Sequence, residues 1–88
     1  MKRKLKRIEF RIFAPQAKNV YLCGSFNNWS ESADAMTKDS NGTWKKIKML
    51  PEGKHEYKFL VDSEWTLDPA CPETTYNEFG TENNVLRL

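Results

Sequence analysis

Eighty-eight residues make one small domain, and at this size folding hides only about 60 to 65% of the surface the unfolded chain exposes, so a deep catalytic cleft is hard to build. An apolar content of 39%, with five Phe, three Tyr and three Trp, excludes a disordered chain. The net charge is +2, but Lys2, Arg3, Lys4, Lys6 and Arg7 hold five of the 14 basic residues, and from Ile8 onward the balance is −3. A nucleic-acid binder carries its basic residues on the folded face that meets phosphate. Here the excess leads the chain, so residues 1–7 read as a solvated basic arm and residues 8–88 as the domain.

Ile8 to Ile12 alternates strictly, with Ile8, Phe10 and Ile12 on one face, and predicts a half-buried strand that Ala14-Pro15 ends. Asn19 to Cys23 is a second strand, with Val20 and Leu22 on one face and Tyr21 and Cys23 on the other. Gly24 closes it before the turn-rich stretch Ser25 to Ser30. Ser30 to Ala35 reads as an acidic loop, and Met36 to Lys38 as a short strand leading into Asp39-Ser40-Asn41-Gly42, where Asn-Gly signals a hairpin. Trp44 to Leu50 follows, but Trp44 is out of phase with Ile47 and Met49. A bulge near Lys45-Lys46 would bring all three to one face; otherwise Trp44 faces outward.

Leu50 to Gly53 fits a type I turn. Tyr57 to Val61 alternates again, with Tyr57, Phe59 and Val61 inward, and Asp62-Ser63 is a two-residue turn into Glu64 to Leu67. Residues 68–84, with two Pro, a Gly and repeated Thr and Asn, read as a long surface loop before a last strand from Asn84 to Leu88. No stretch keeps a helical period. Short strands joined by turn signals predict an all-β fold, an antiparallel β-sandwich.

Trp29 stands outside any apolar period, among amides. If Asp62 and Ser63 form the turn, Leu60 pairs with Trp65, which puts Trp65 on the same outward face as Lys58. Exposed indoles flanked by a lysine and amide side chains suit a sugar. The C–H face of a pyranose stacks on an aromatic ring, while its hydroxyls need the donors and acceptors that Asn and Lys supply. Two rings on separate loops can cradle a curving α-1,4-glucan, with affinities of about 10 μM to 1 mM expected of so shallow a site.

The runs VYLCGSFNNW from Val20, LPEGKHEYKFLVDSEWTLDP from Leu50 and FGTENNV from Phe79, in that order, resemble the family 48 carbohydrate-binding modules, and especially the glycogen-binding domain of the AMP-activated protein kinase β subunit. The resemblance spans about Ile8 to Leu88 and implies an immunoglobulin-like sandwich. It also implies a set of α-glucan contacts: two tryptophans and a lysine, matching Trp29, Trp65 and Lys58, and a closing loop whose apolar residue, threonine and asparagine match Phe79, Thr81 and Asn83. Phe79 stands where the kinase subunit has a smaller aliphatic residue, and Ser63 where Gly is frequent. Family relatives are attached to an amylase-type barrel or a kinase subunit, so a glucan-active enzyme or a kinase is the implied protein partner.

Catalysis is not expected. Glycoside hydrolysis needs two carboxyl groups about 5 to 10 Å apart across a cleft, and Asp62, Glu64, Asp68, Glu73, Glu78 and Glu82 read as solvated turn and loop acids. His55 reads as exposed at a strand start, with no Ser or Cys nucleophile motif around it. One His with the distant Cys23 and Cys71 gives no metal signature and no cofactor, and reduced thiols are expected rather than a bridge. The N-terminus lacks the apolar run of a signal peptide, which predicts a cytoplasmic chain with no membrane partner. Two rivals to glucan binding are a protein-interaction module anchored by Trp29 and Trp65 and a nucleic-acid binder led by Lys2 to Arg7.

Overall fold

Alternation dictates the first strand, and in the computed structural model, which describes residues 4–88, β1 (Leu5–Phe13) turns Phe10 and Ile12 into the core. It starts three residues before the expected point, since Leu5, Lys6 and Arg7 pair with Pro51, Leu50 and Met49. Lys6 and Arg7 of the basic leader are therefore in the sheet rather than in a solvated arm, and Met1, Lys2 and Arg3 lie outside the described residues. The strands that follow are β2 (Val20–Gly24), β3 (Thr37–Lys38), β4 (Thr43–Pro51), β5 (Lys54–Val61), β6 (Glu64–Thr66), β7 (Thr74–Tyr76) and β8 (Glu82–Arg87). A three-stranded sheet of order β1-β4-β3 packs on a five-stranded sheet of order β2-β5-β8-β7, in which β6 extends the far end of β5. All pairs are antiparallel, and the β-sandwich expected from the strand pattern is what forms.

Phe10, Ile12, Trp44 and Leu50 from the small sheet meet Val20, Leu22, Tyr57 and Phe59 from the large one. The Phe10 ring meets the Tyr57 ring edge to face at 4.9 Å. Burying a side chain of this kind contributes about 1.5 to 3 kcal/mol.

Strand β4 departs from both alternatives for Trp44. Its register against β1 is unbroken from Leu5↔Pro51 to Phe13↔Thr43, so there is no bulge. Trp44 nevertheless points inward, 7% exposed, while Ile47 and Met49 lie on the outer face. Its indole N–H donates to the Ala14 carbonyl at 2.9 Å, which allows a large ring with a polar edge to be buried. The inward positions between Trp44 and Leu50 are Lys46 and Lys48. Lys48 extends over the Phe26 ring and donates to the Asp34 carboxylate at 3.2 Å. The apolar residues misled the period because lysines take these inward positions, where their stems lie over apolar side chains and their ammonium groups reach the buried Asp34.

The segment read as one long loop instead contains β7 and the start of β8, closed by residues 77–81. Asp68, expected in solvent, is buried. It accepts from the Tyr57 hydroxyl at 2.7 Å, and its backbone N–H donates to Asn84 Oδ1 at 2.7 Å. Burial, then the bond to Asp68 and its charge, push the Tyr57 hydroxyl far above its ordinary pKa. His55 is also buried rather than exposed, its Nε2 lying 2.8 Å from the Pro51 carbonyl. Cys23 and Cys71 are both free thiols.

Candidate functional site

Asp62 and Ser63 both adopt positive φ, 46° and 69°, as a type I′ hairpin turn requires. Val61 pairs with Glu64 and Leu60 with Trp65, so the turn arithmetic holds. The Asp62 carboxylate accepts from the Lys18 and Asn19 backbone N–H groups at 2.8 Å, and these two bonds hold its pKa below the usual carboxylate range. The result is a fixed corner from which Trp65 projects, 47% exposed.

Trp29 arrives by a different route. After Gly24 the chain makes one 3₁₀ turn over Ser25–Asn27, and then Asn28 and Trp29 both take left-handed φ, 56° and 57°. Such a conformation costs about 1 kcal/mol or more in a non-Gly residue and persists only where the surroundings enforce it. Enforcement comes from the Trp29 N–H, which donates to the Gly24 carbonyl at 2.8 Å, and from Asn27. The Asn27 Oδ1 accepts from the Gly24 N–H at 3.0 Å, while its Nδ2 donates to the Leu22 carbonyl at 2.9 Å and to Asp34 at 2.7 Å. A Cβ on Gly24 would stand 2.6 Å from the Glu56 carbonyl oxygen and 2.7 Å from the Phe26 ring, so only glycine permits this close approach.

The two indoles meet edge to face with ring centroids 6.4 Å apart. They form one side of an open concavity of about 650 Å³, which all six residues singled out from the sequence line: Trp29, Lys58, Trp65, Phe79, Thr81 and Asn83. Their environments differ. Phe79 is 83% exposed at the tip of the β7–β8 hairpin, whereas Lys58 is only 8% exposed and donates from Nζ to Thr81 Oγ1 at 3.2 Å. Asn83 is buried, its Oδ1 accepting from Asn77 at 3.0 Å and its Nδ2 donating to Glu56 at 3.1 Å. Each nevertheless keeps capacity: two N–H on Lys58, the hydroxyl hydrogen of Thr81, and one N–H and one lone pair on Asn83.

Sequence reasoning missed Asn77, which organises the hairpin tip. Its Oδ1 accepts from the Phe79 and Thr81 N–H groups at 2.9 and 3.1 Å, and its Nδ2 also donates to Thr81 Oγ1 at 2.7 Å. An Asn in a loop with Gly80 three residues on was the available signal, since Asx side chains cap turns. Glu31, Glu56, Tyr76 and Glu78 complete the lining. Among the described residues no group of His, Cys, Asp and Glu side chains gathers as a metal ion would require, and no helix is long and apolar enough to cross a membrane.

Known proteins are similar to this chain. Residues 8–88 match the family described as the glycogen recognition site of AMP-activated protein kinase. The 5′-AMP-activated protein kinase subunit beta-1 of Sus scrofa is 49% identical over 71 residues, which are 81% of this chain and 55% of that one. Its Homo sapiens counterpart is 48% identical, and the subunit beta-2 of Mus musculus 42%, over the same 81% of this chain and 25% of theirs. The chain therefore spans about half the length of the first of these relatives and a quarter of the other two. It belongs to the glycogen recognition site family of AMP-activated protein kinase, a recognition module and not an enzyme.

Proposed function

We propose that this domain binds α-1,4-glucan, as glycogen, starch-like polymer or maltooligosaccharide, and brings a partner protein to it. The observation that carries the reading is the pair of indoles held 6.4 Å apart in one concavity that also carries the rings of Tyr76 and Phe79 and the polar groups of Lys58, Thr81 and Asn83. Trp29 and Trp65 stack on successive glucose units of a curved chain. Lys58, Thr81 and Asn83 hydrogen-bond its hydroxyls, and Phe79 closes over it from the hairpin. The kinase subunits among the relatives support a kinase as the protein brought to the polymer. The two free thiols suit a reducing compartment, which makes the cytoplasm the proposed location.

Titrating β-cyclodextrin or maltoheptaose while following tryptophan fluorescence tests the reading. Saturable quenching with a dissociation constant of about 10 μM to 1 mM is expected, with loss in Trp29→Ala and Trp65→Ala. No response at millimolar sugar would sink it and favour a protein ligand for the same rings. Retardation in an amylopectin gel that survives both substitutions would mean that another face binds.

A further inference from the structure

Charge is unevenly placed on this molecule. The chain carries +2 overall, yet three carboxylates, Glu31, Glu56 and Glu78, line the concavity against one ammonium, Lys58. Glu56 shares its charge with Lys54 at 3.9 Å, but among the described residues Glu31 and Glu78 have no cation within salt-bridge distance. Lys58 is recessed beneath Thr81, to which it donates. The smaller sheet carries Lys6, Arg7 and Arg11 on β1 and Lys45, Lys46 and Lys48 on β4, and four of these are engaged elsewhere, Arg11 with Glu9, Lys45 with Asp39, and Lys46 and Lys48 with Asp34.

The geometry points to selection of the glucan by charge: Glu31 and Glu78 make the concavity a negative bowl that admits neutral glucose units and turns away chains bearing phosphate or sulfate esters. This rests on the glucan reading above and names the class of glucan within it. A phosphate monoester carries about −1.5 to −2 charges at pH 7. Each exposed carboxylate repels it modestly, but several within one Debye length, about 10 Å at 0.1 M salt, act together. One recessed ammonium does not offset them. A neutral hydroxyl feels no such penalty, so like-charge juxtaposition rejects the wrong ligand without weakening the right one.

Three forms of β-cyclodextrin test this: unmodified, sulfated at the 6-hydroxyls, and aminated at the same positions. Each is titrated by calorimetry at about 20 mM and about 500 mM salt, on either side of the screening range. At low salt the sulfated ring should bind at least about tenfold more weakly than the aminated ring, and the gap should narrow at high salt. In Glu31→Gln/Glu78→Gln the ratio of the two dissociation constants should fall at least about threefold. Equal binding of the charged rings overturns the inference, as does a gap that persists unchanged in high salt or in the double variant, since bulk would then explain it. Failure of every ring to bind is a separate result that removes the glucan reading itself.

Discussion

Asn27 and Asn77 hold opposite walls of the concavity with the same chemistry and different partners. Each uses its carbonyl oxygen to accept from backbone N–H, one for Asn27 and two for Asn77, and its amide nitrogen to donate twice. The bonds of Asn27 run inward, to Leu22 in β2 and to Asp34, which in turn takes Lys48 from the other sheet. Those of Asn77 stay within its own hairpin, at Phe79, Thr81 and Asn83. The Trp29 wall is thus rooted in the sandwich through side-chain bonds, while the tip that carries Phe79 is ordered by bonds within its own hairpin and tied to β5 by the β5–β8 pairing and by Lys58 and Glu56. A site built this way has a stacking platform fixed by long-range bonds and a hairpin tip fixed by local ones.

Substitution separates the two walls. Asn27→Ala strands the Leu22 carbonyl and leaves Asp34 short of a donor, and should destabilise the domain by about 3 to 4 kcal/mol, read as a fall in the urea midpoint. Asn77→Ala should cost only about 1 kcal/mol of stability by the same measurement. Equal losses would break the contrast. On the binding side, Trp29→Ala and Trp65→Ala should each weaken glucan binding by about 2 to 3 kcal/mol in calorimetry. Asn77→Ala should weaken it by about 1 kcal/mol through loss of hairpin order.

The acid behind the rooted wall gives a pH test. Burial raises the Asp34 pKa, but hydrogen bonds from Asn27 and Lys48 and the nearby charges of Lys48 and Lys46 outweigh it, so the folded value lies below the ordinary one. Its stabilising contribution is therefore complete above the unfolded value of about 3.9 and disappears as pH falls through the folded value. Asp34→Asn should lower Tm at neutral pH, with the difference from wild type shrinking below about pH 4. A gap constant to pH 2 would show that charge has no part in it. The smallest change lies outside both walls: Ser63→Gly, at φ 69°, should stabilise the hairpin by about 0.5 kcal/mol in thermal melts.

Local chemistry was legible in the sequence and tertiary polarity was not. The Asp62-Ser63 turn and the facing of Trp65 with Lys58 follow from counting residues across a two-residue hairpin, and the register bears that counting out. Strand β7 escaped because Thr74–Tyr76 has no apolar alternation and exists through its pairing with β8. The burial of Asp34, Asp68, Asn84 and His55 could not be read from their neighbours in the chain, because each is buried by virtue of partners 4 to 16 residues away. Ile47 and Met49 lie on the outer face, against both readings of that strand, for a related reason. A period is informative only while the inward positions are apolar, and Lys46 and Lys48 break that condition.

The edge-to-face contact of Trp29 with Trp65 has an optical consequence. Chromophores this close couple their excited states, and coupled indoles in a fixed chiral arrangement yield paired circular-dichroism bands of opposite sign. Trp44, sealed in the interior, contributes a steady background. Any guest that slides between or rotates the outer pair alters that doublet, so the domain carries an intrinsic spectroscopic gauge of occupancy that needs no dye.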